Sequence, residues 1–384
     1  MTPGARLQAA IEVLDRVQAG TVPEAALTNW ARASRFAGSK DRAAVRDHVY
    51  DVLRRKRSCA ALGGGESGRA LALGLLRGQG ADVAVFDGAG HAPAPLSEAE
   101  RAHLAAPVQM SDGERLDCPD WLMPALRASL GADFELVMEA LRHRAPVFLR
   151  VNVAKVDRAD AIDALAAEGV LAVAHPLTDT ALEVTQNARR VRQTRAFAEG
   201  LVELQDAASQ AVVAELPPLK GLTVLDYCAG GGGKALAMAA LGARVTAHDV
   251  AAARMRDIPA RAARAGTRIA VTTRAEGTFD LVLADAPCSG SGSWRRDPAG
   301  KWALTPARLA ELQRIQARVI DGAAKRVRPG GWLAYATCSM LRAENADAIA
   351  AFLTRSPGFR VERTRHFTPL DGADGFCVFL LRRD

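Results

Sequence analysis

Along the C-terminal half of the chain, short apolar runs of six to nine residues alternate with longer stretches whose apolar positions recur at helical spacing. The runs at 223–228, 244–250, 268–273, 279–285, 331–337 and 375–383 read as strands. Amphipathic segments lie between them, the longest over 306–327, followed by the breaker cluster Pro329-Gly330-Gly331. A strand–helix alternation of this kind predicts an α/β fold with a doubly wound, mostly parallel sheet. The rhythm begins near Leu201, so residues 201–384 are expected to form one domain.

The N-terminal pattern is different. Residues 1–80 read as helices: Ser39 looks like an N-cap, and Val45, Val49, Val52 and Leu53 follow at helical spacing. Arg42, Arg46, Arg54 and Arg57 fall on the other side as a basic face, either a solvated surface or a contact for an anionic partner. Residues 78–95 are rich in Gly, Ala and Pro, and 81–117 are expected to form a linker and connecting segment. Residues 118–200 mix strand and helix signals, with a strand at 148–153, a helix at 160–168 and the cluster Arg189, Arg190, Arg192 and Arg195. They are expected to form a small α/β subdomain.

A formal net charge of +7 favours an anionic partner such as nucleic acid. Six cysteines without a CxxC pair fit a reducing, cytoplasmic setting, not a disulfide scaffold or a metal site. No apolar run reaches the roughly 20 residues of a membrane span.

The run 223–228 leads into Cys228-Ala229-Gly230-Gly231-Gly232-Gly233-Lys234, a strand, a glycine-rich turn and the start of a helix. Such a turn lets a ligand approach the backbone and meet free helix N–H groups. A phosphate-binding P-loop needs Gly five residues before the Gly-Lys pair and Ser or Thr after it; Cys228 and Ala235 stand there instead. A dinucleotide pattern is formally present in Gly230, Gly232 and Ala235, with Asp249 ending the second strand to hold ribose hydroxyls. S-adenosylmethionine uses the same architecture, and the glycines do not separate it from a nicotinamide cofactor.

Two cysteines decide between them. Cys288 in Asp285-Ala286-Pro287-Cys288 and Cys338 in Ala336-Thr337-Cys338-Ser339 each follow a run that reads as a buried strand. If those strands are neighbours, both thiols open into the crevice beyond the sheet's carboxyl edge, where ligands bind. Hydride transfer gives no reason for such a pair. Methylation at C5 of cytosine does: C5 is a poor nucleophile until a thiolate adds at C6, and a second group must then assist release. The thiolate requires a lowered pKa, for which Lys234 or a helix terminus is available.

From about Gln205 onward the chain resembles the RNA (cytosine-5) methyltransferases of the RsmB/Sun and NOP/NSUN group. Asp285-Ala286-Pro287-Cys288-Ser289-Gly290-Ser291-Gly292 is similar to that family's fourth motif. Tyr335-Ala336-Thr337-Cys338-Ser339, with Glu344-Asn345, is similar to its sixth. Arg295-Arg296-Asp297-Pro298 with Lys301-Trp302, Gln205-Asp206 with Ser209-Gln210, and Asp374-Gly375-Phe376 also match. The resemblance implies a methyltransferase-type sheet and S-adenosylmethionine held by residues 228–234 with Asp249 and Asp285. It implies Cys338 as nucleophile and Cys288 as the release residue, with Lys234 and Asp285 facing the base. Gly38-Ser39-Lys40-Asp41-Arg42 and the helix after it are similar to the NusB-like RNA-binding domain of the bacterial RsmB branch. That likeness points to 16S ribosomal RNA as substrate; a monomer without metal is expected. A tRNA substrate, and a non-catalytic RNA-binding assembly factor, are the alternatives. Two departures stand out: Gly231 and Ala235 replace the usual Pro and Thr of the loop, and Thr272-Thr273-Arg274 replaces the Asp expected near the adenine.

Overall fold

Seven strands build the larger sheet of the computed structural model, which describes residues 1–384. By contacts the chain divides into two units: residues 1–144 with 294–303, and residues 145–293 with 304–384.

The second unit opens with a four-stranded antiparallel sheet of β1 (Val147–Val151), β2 (Leu171–Ala174), β3 (Ala181–Gln186) and β4 (Val202–Leu204), in the order β2-β3-β1-β4. The larger sheet contains β5 (Thr223–Asp226), β6 (Arg244–His248), β7 (Ala270–Thr272), β8 (Phe279–Asp285), β9 (Val327–Thr337), β10 (Phe359–Phe367) and β11 (Phe376–Arg383). Its order is β10-β11-β9-β8-β5-β6-β7, parallel from β9 to β7, with β11 and β10 added antiparallel. Val224, Leu281 and Leu283 point into one apolar layer, Leu225, Val282 and Ala284 into the other. Burial on both faces is why these strands read as continuous apolar runs. The chain moves outward from β5 through β6 to β7, then returns to β8 on the other side of β5. That reversal opens the ligand crevice between β5 and β8.

Two expectations for this sheet need correction. Pro329-Gly330-Gly331 does not precede the strand but lies inside β9, where pairing with β8 shifts register and Gly330 takes φ +65°. The helix before it is Pro306–Ala324, shorter than expected. β10 went unread because seven of its nine residues are exposed; pairing with β11 makes it a strand, and its charges suit an open sheet edge.

In the first unit, helices Pro3–Gln18, Pro23–Ala33, Ser39–Arg54 and Gly68–Gly78 enclose a core that includes Val13, Trp30, Val45, Val49 and Leu71. Ser39 is not the N-cap. Gly38 takes that place, and its N–H donates to Asp41 Oδ2 at 3.2 Å. The basic face is largely structural. Arg54 is buried, its Nε donating to the Arg295 carbonyl at 2.8 Å, while Arg57 pairs with Asp120 at 2.6 Å and Arg42 Nε bonds the Ala37 carbonyl. Arg42 and Arg46 of the four stay exposed. The 294–303 segment is fixed within this unit by Lys301 Nζ on the Arg54 carbonyl (3.2 Å) and Trp302 Nε1 on the Leu53 carbonyl (2.6 Å).

The 81–117 stretch carries helices Glu98–Ala105 and Asp112–Arg115 and is held by Arg69 paired with Glu100 at 2.7 Å. Residues 118–144, expected to open the α/β subdomain, form helices Met123–Leu130 and Phe134–Leu141 of the first unit. No helix of the chain is long and apolar enough to cross a membrane.

Candidate active site

β5 ends at Asp226, and the chain turns through Tyr227 to Gly232 before helix Gly233–Ala240. Gly230 and Gly232 have φ of +50° and +80°, and a Cβ on Gly232 would lie 2.8 Å from the Ile258 side chain. Glycine is required there on both counts. The Gly230 N–H donates to Asp249 Oδ2 at 3.1 Å, and the Ala251 N–H donates to its Oδ1 at 3.0 Å. Asp249 is thus where expected, at the carboxyl end of β6, yet it is buried and also paired with Arg254 at 3.0 Å. The Cys228 thiol is pushed up by burial and by the carboxylates around it, so this residue supplies backbone and packing more than reactivity.

Lys234 sits in the first turn of that helix, its Nζ 2.7 Å from Asp285 Oδ2 and 4.7 Å from the centre of the Phe376 ring. Burial pulls its pKa down, but attraction to Asp285 outweighs this and leaves Lys234 above its usual value. The ammonium is therefore kept charged.

β8 and β9 are parallel neighbours with Asp285 opposite Ala336. Both turns that follow leave the sheet on the same side, and Cys288 Sγ lies 3.3 Å from Cys338 Sγ. The Cys288 pKa is raised well above that of an ordinary thiol, first by its hydrogen bond to Cys338 and then by burial. Together the structure brings Lys234, Asp285, Cys288 and Cys338 to one end of the sheet, beside the 228–233 loop.

Three groups escaped the sequence reading. Asp226 is buried with no well-formed hydrogen bond to either oxygen; burial followed by the nearby Asp285 pushes it up to about 7, against weaker opposing pulls from Lys234 and the Ala235 N–H. An orphaned carboxylate beneath a glycine loop suits a ligand bearing a cationic group. Arg150, from β1, donates to the Gly233 carbonyl at 2.6 Å and to Gln205 Oε1, bracing the start of the helix. Glu344, quoted only as a motif neighbour, lies buried between the two cysteine turns. Thr272, which takes the place of the expected adenine-side Asp, closes its own turn with Arg274.

Residues 213–376 match the model of the 16S rRNA methyltransferase RsmB/F family, and residues 118–191 that of the ferredoxin-like domain of RsmF/B-like methyltransferases. The ribosomal RNA small subunit methyltransferase B of Erwinia tasmaniensis is 34% identical over 294 residues, which cover 70% of this chain and 67% of that protein. The chain belongs to the RsmB/F family. Its counterpart in Salmonella arizonae is 37% identical over 257 residues, covering 64% of this chain and 60% of the relative. The chain thus spans 60% of that relative's length. Among solved structures, PH0851 superposes with a TM-score of 0.78 at 23% identity, covering 100% of this chain and 99% of its own. A methyltransferase homolog protein from Pyrococcus horikoshii gives 0.63 at 23% identity, covering 72% and 100%. Both likenesses show that the RsmB/F fold described above is shared with solved proteins.

Proposed function

We propose that this chain transfers a methyl group from S-adenosylmethionine to C5 of a cytosine in RNA, with 16S ribosomal RNA as the substrate its relatives' names favour. The observation that carries the reading is the pair of thiols 3.3 Å apart at the ends of two adjacent parallel strands, beside a charged Lys234–Asp285 pair.

The cofactor would be held by the 228–233 backbone, by Asp249 at the ribose after Arg254 swings aside, and by Asp226 beneath the loop. When bound, S-adenosylmethionine supplies an electrophilic methyl on a sulfonium. The chain's own residues make C5 able to take it. Cys338 Sγ, as thiolate, bonds to C6 and places electron density at C5. Asp285, oriented by Lys234, holds the N3 and amino edge of the ring. Once C5 is methylated, its proton must leave as the Cys338–C6 bond breaks and the ring double bond returns. Cys288, after its own proton has passed to solvent, is placed to accept that C5 proton.

Unmodified 16S RNA fragments incubated with the protein and S-adenosylmethionine, then digested for nucleoside mass analysis, test the reaction. 5-Methylcytidine is expected from the wild type and none from Cys338→Ala. Measurable cofactor binding without 5-methylcytidine in either ribosomal RNA or tRNA would overturn the assignment.

A further inference from the structure

Glu344 is fully buried and accepts hydrogen bonds from four donors. The Ser289 N–H donates to Oε1 at 2.8 Å, and the Ser289 and Ser339 hydroxyls each reach Oε2 at 2.5 Å. Gln316 Nε2 donates to Oε1 at 2.9 Å and also to the Pro287 carbonyl at 2.9 Å. Four donors fill the acceptor capacity of a carboxylate. Ser289 follows Cys288 in sequence, Ser339 follows Cys338, and Pro287 precedes Cys288. One side chain therefore ties both thiol-bearing turns to a single point. Asn345 secures the same point: it accepts from Thr337 Oγ1 at 2.6 Å and donates to the Ser339 carbonyl at 2.8 Å.

Both sulfurs sit among charged groups. Lys234 is close enough to Cys338 to be raised by its charge, and Glu344 raises Cys288. The other titratable groups facing the pair are Asp285 and the buried Tyr335 hydroxyl, which donates to the Glu344 carbonyl at 2.8 Å.

We propose that Glu344 is a positioning residue that fixes the spacing of the two cysteines and keeps their shared proton on Cys288, leaving Cys338 as the attacking sulfur. The inference rests on the reading of Cys338 as nucleophile, but its test needs no RNA. Full-length wild type and Glu344→Gln are treated with limiting iodoacetamide across pH 6–9, and alkylation at Cys288 and Cys338 is followed by peptide mass spectrometry. Glu344→Gln keeps the shape, removes the charge and turns an amide towards the hydroxyls. Wild type is expected to alkylate at Cys338 at least tenfold faster than at Cys288, and Glu344→Gln to bring the two rates within about threefold. An unchanged preference in a folded Glu344→Gln would overturn the proposal. Should that variant fail to fold, Ser339→Ala removes one tie and keeps the carboxylate. A reduced preference there supports the proposal, and the wild-type ratio sinks it. Because the readout is thiol reactivity, failure of cytosine methylation leaves its outcome legible.

Discussion

Lys234 and Asp285 form an ion pair in which the lysine is almost wholly out of water while the carboxylate keeps some contact with it. Removing the charge from one partner leaves the other poorly solvated. Lys234→Met is expected to slow methyl transfer by roughly 10²–10³, the usual range for a lost electrostatic contact in an active site. The accompanying loss of stability should be smaller than the about 3–5 kcal/mol of a fully buried pair. Methylation rate and thermal melting, measured on the same variant, separate the two effects. Asp226 makes a different prediction. An aspartate that titrates near 3.8 when unfolded and about 7 when folded holds its proton more tightly in the native protein. Its contribution is complete below pH 3.8 and is lost as pH rises through about 7. Asp226→Asn should flatten that fall, so denaturant unfolding at pH 5 and pH 8 should differ less for the variant than for the wild type. An equal difference in both would refute the assignment. Cys288 and Cys338 were legible in the sequence because each closes an apolar run. Asp226 and Glu344 were not, since their meaning lies in burial and in partners as much as 55 residues away, as for Ser289.

The elements around the thiols meet backbone to backbone. The Gly292 N–H donates to the Cys338 carbonyl and the Gly375 N–H to the Gly292 carbonyl, each at 2.9 Å. A Cβ at Gly292 would stand 2.0 Å from the Gly375 oxygen, which no rotamer can relieve. Gly292→Ala should therefore push the Cys288 turn away from Cys338, destabilise the protein by about 1–3 kcal/mol and abolish 5-methylcytidine formation. Normal activity in that variant would show that the turn tolerates displacement. The central parallel strands were readable because burial on both faces leaves an unbroken apolar signature. β10 and the start of β9 were not: one is polar along an edge, the other begins at residues that ordinarily end elements, Pro329 and Gly330. Within the first unit, Arg54 read as a surface cation because its spacing matched the polar side of the helix. The 294–303 segment that covers it arrives some 240 residues later in the chain.

Across the whole molecule, a net charge of +7 favours binding to RNA phosphates, and the structure alters which residues can supply it. Arg189, Arg190, Arg192 and Arg195 are exposed, whereas Arg54 is buried. Replacing Arg189, Arg190 and Arg192 together with Gln should lower the slope of log affinity against log salt by up to about 2, at roughly 0.7 per phosphate contact. Arg54→Met should lower the melting temperature and leave that slope unchanged. Filter binding across a salt series checks both, and a slope that moves with Arg54 alone would reverse the assignment. The central claim concerns a bond between protein and RNA, and a denaturing gel tests it most directly. Cys288→Ala, incubated with a 16S RNA fragment and S-adenosylmethionine, is predicted to retain RNA covalently, and adding Cys338→Ala is predicted to abolish the band. RNA trapped instead by Cys338→Ala, or 5-methylcytidine formed in the absence of both thiols, would contradict it.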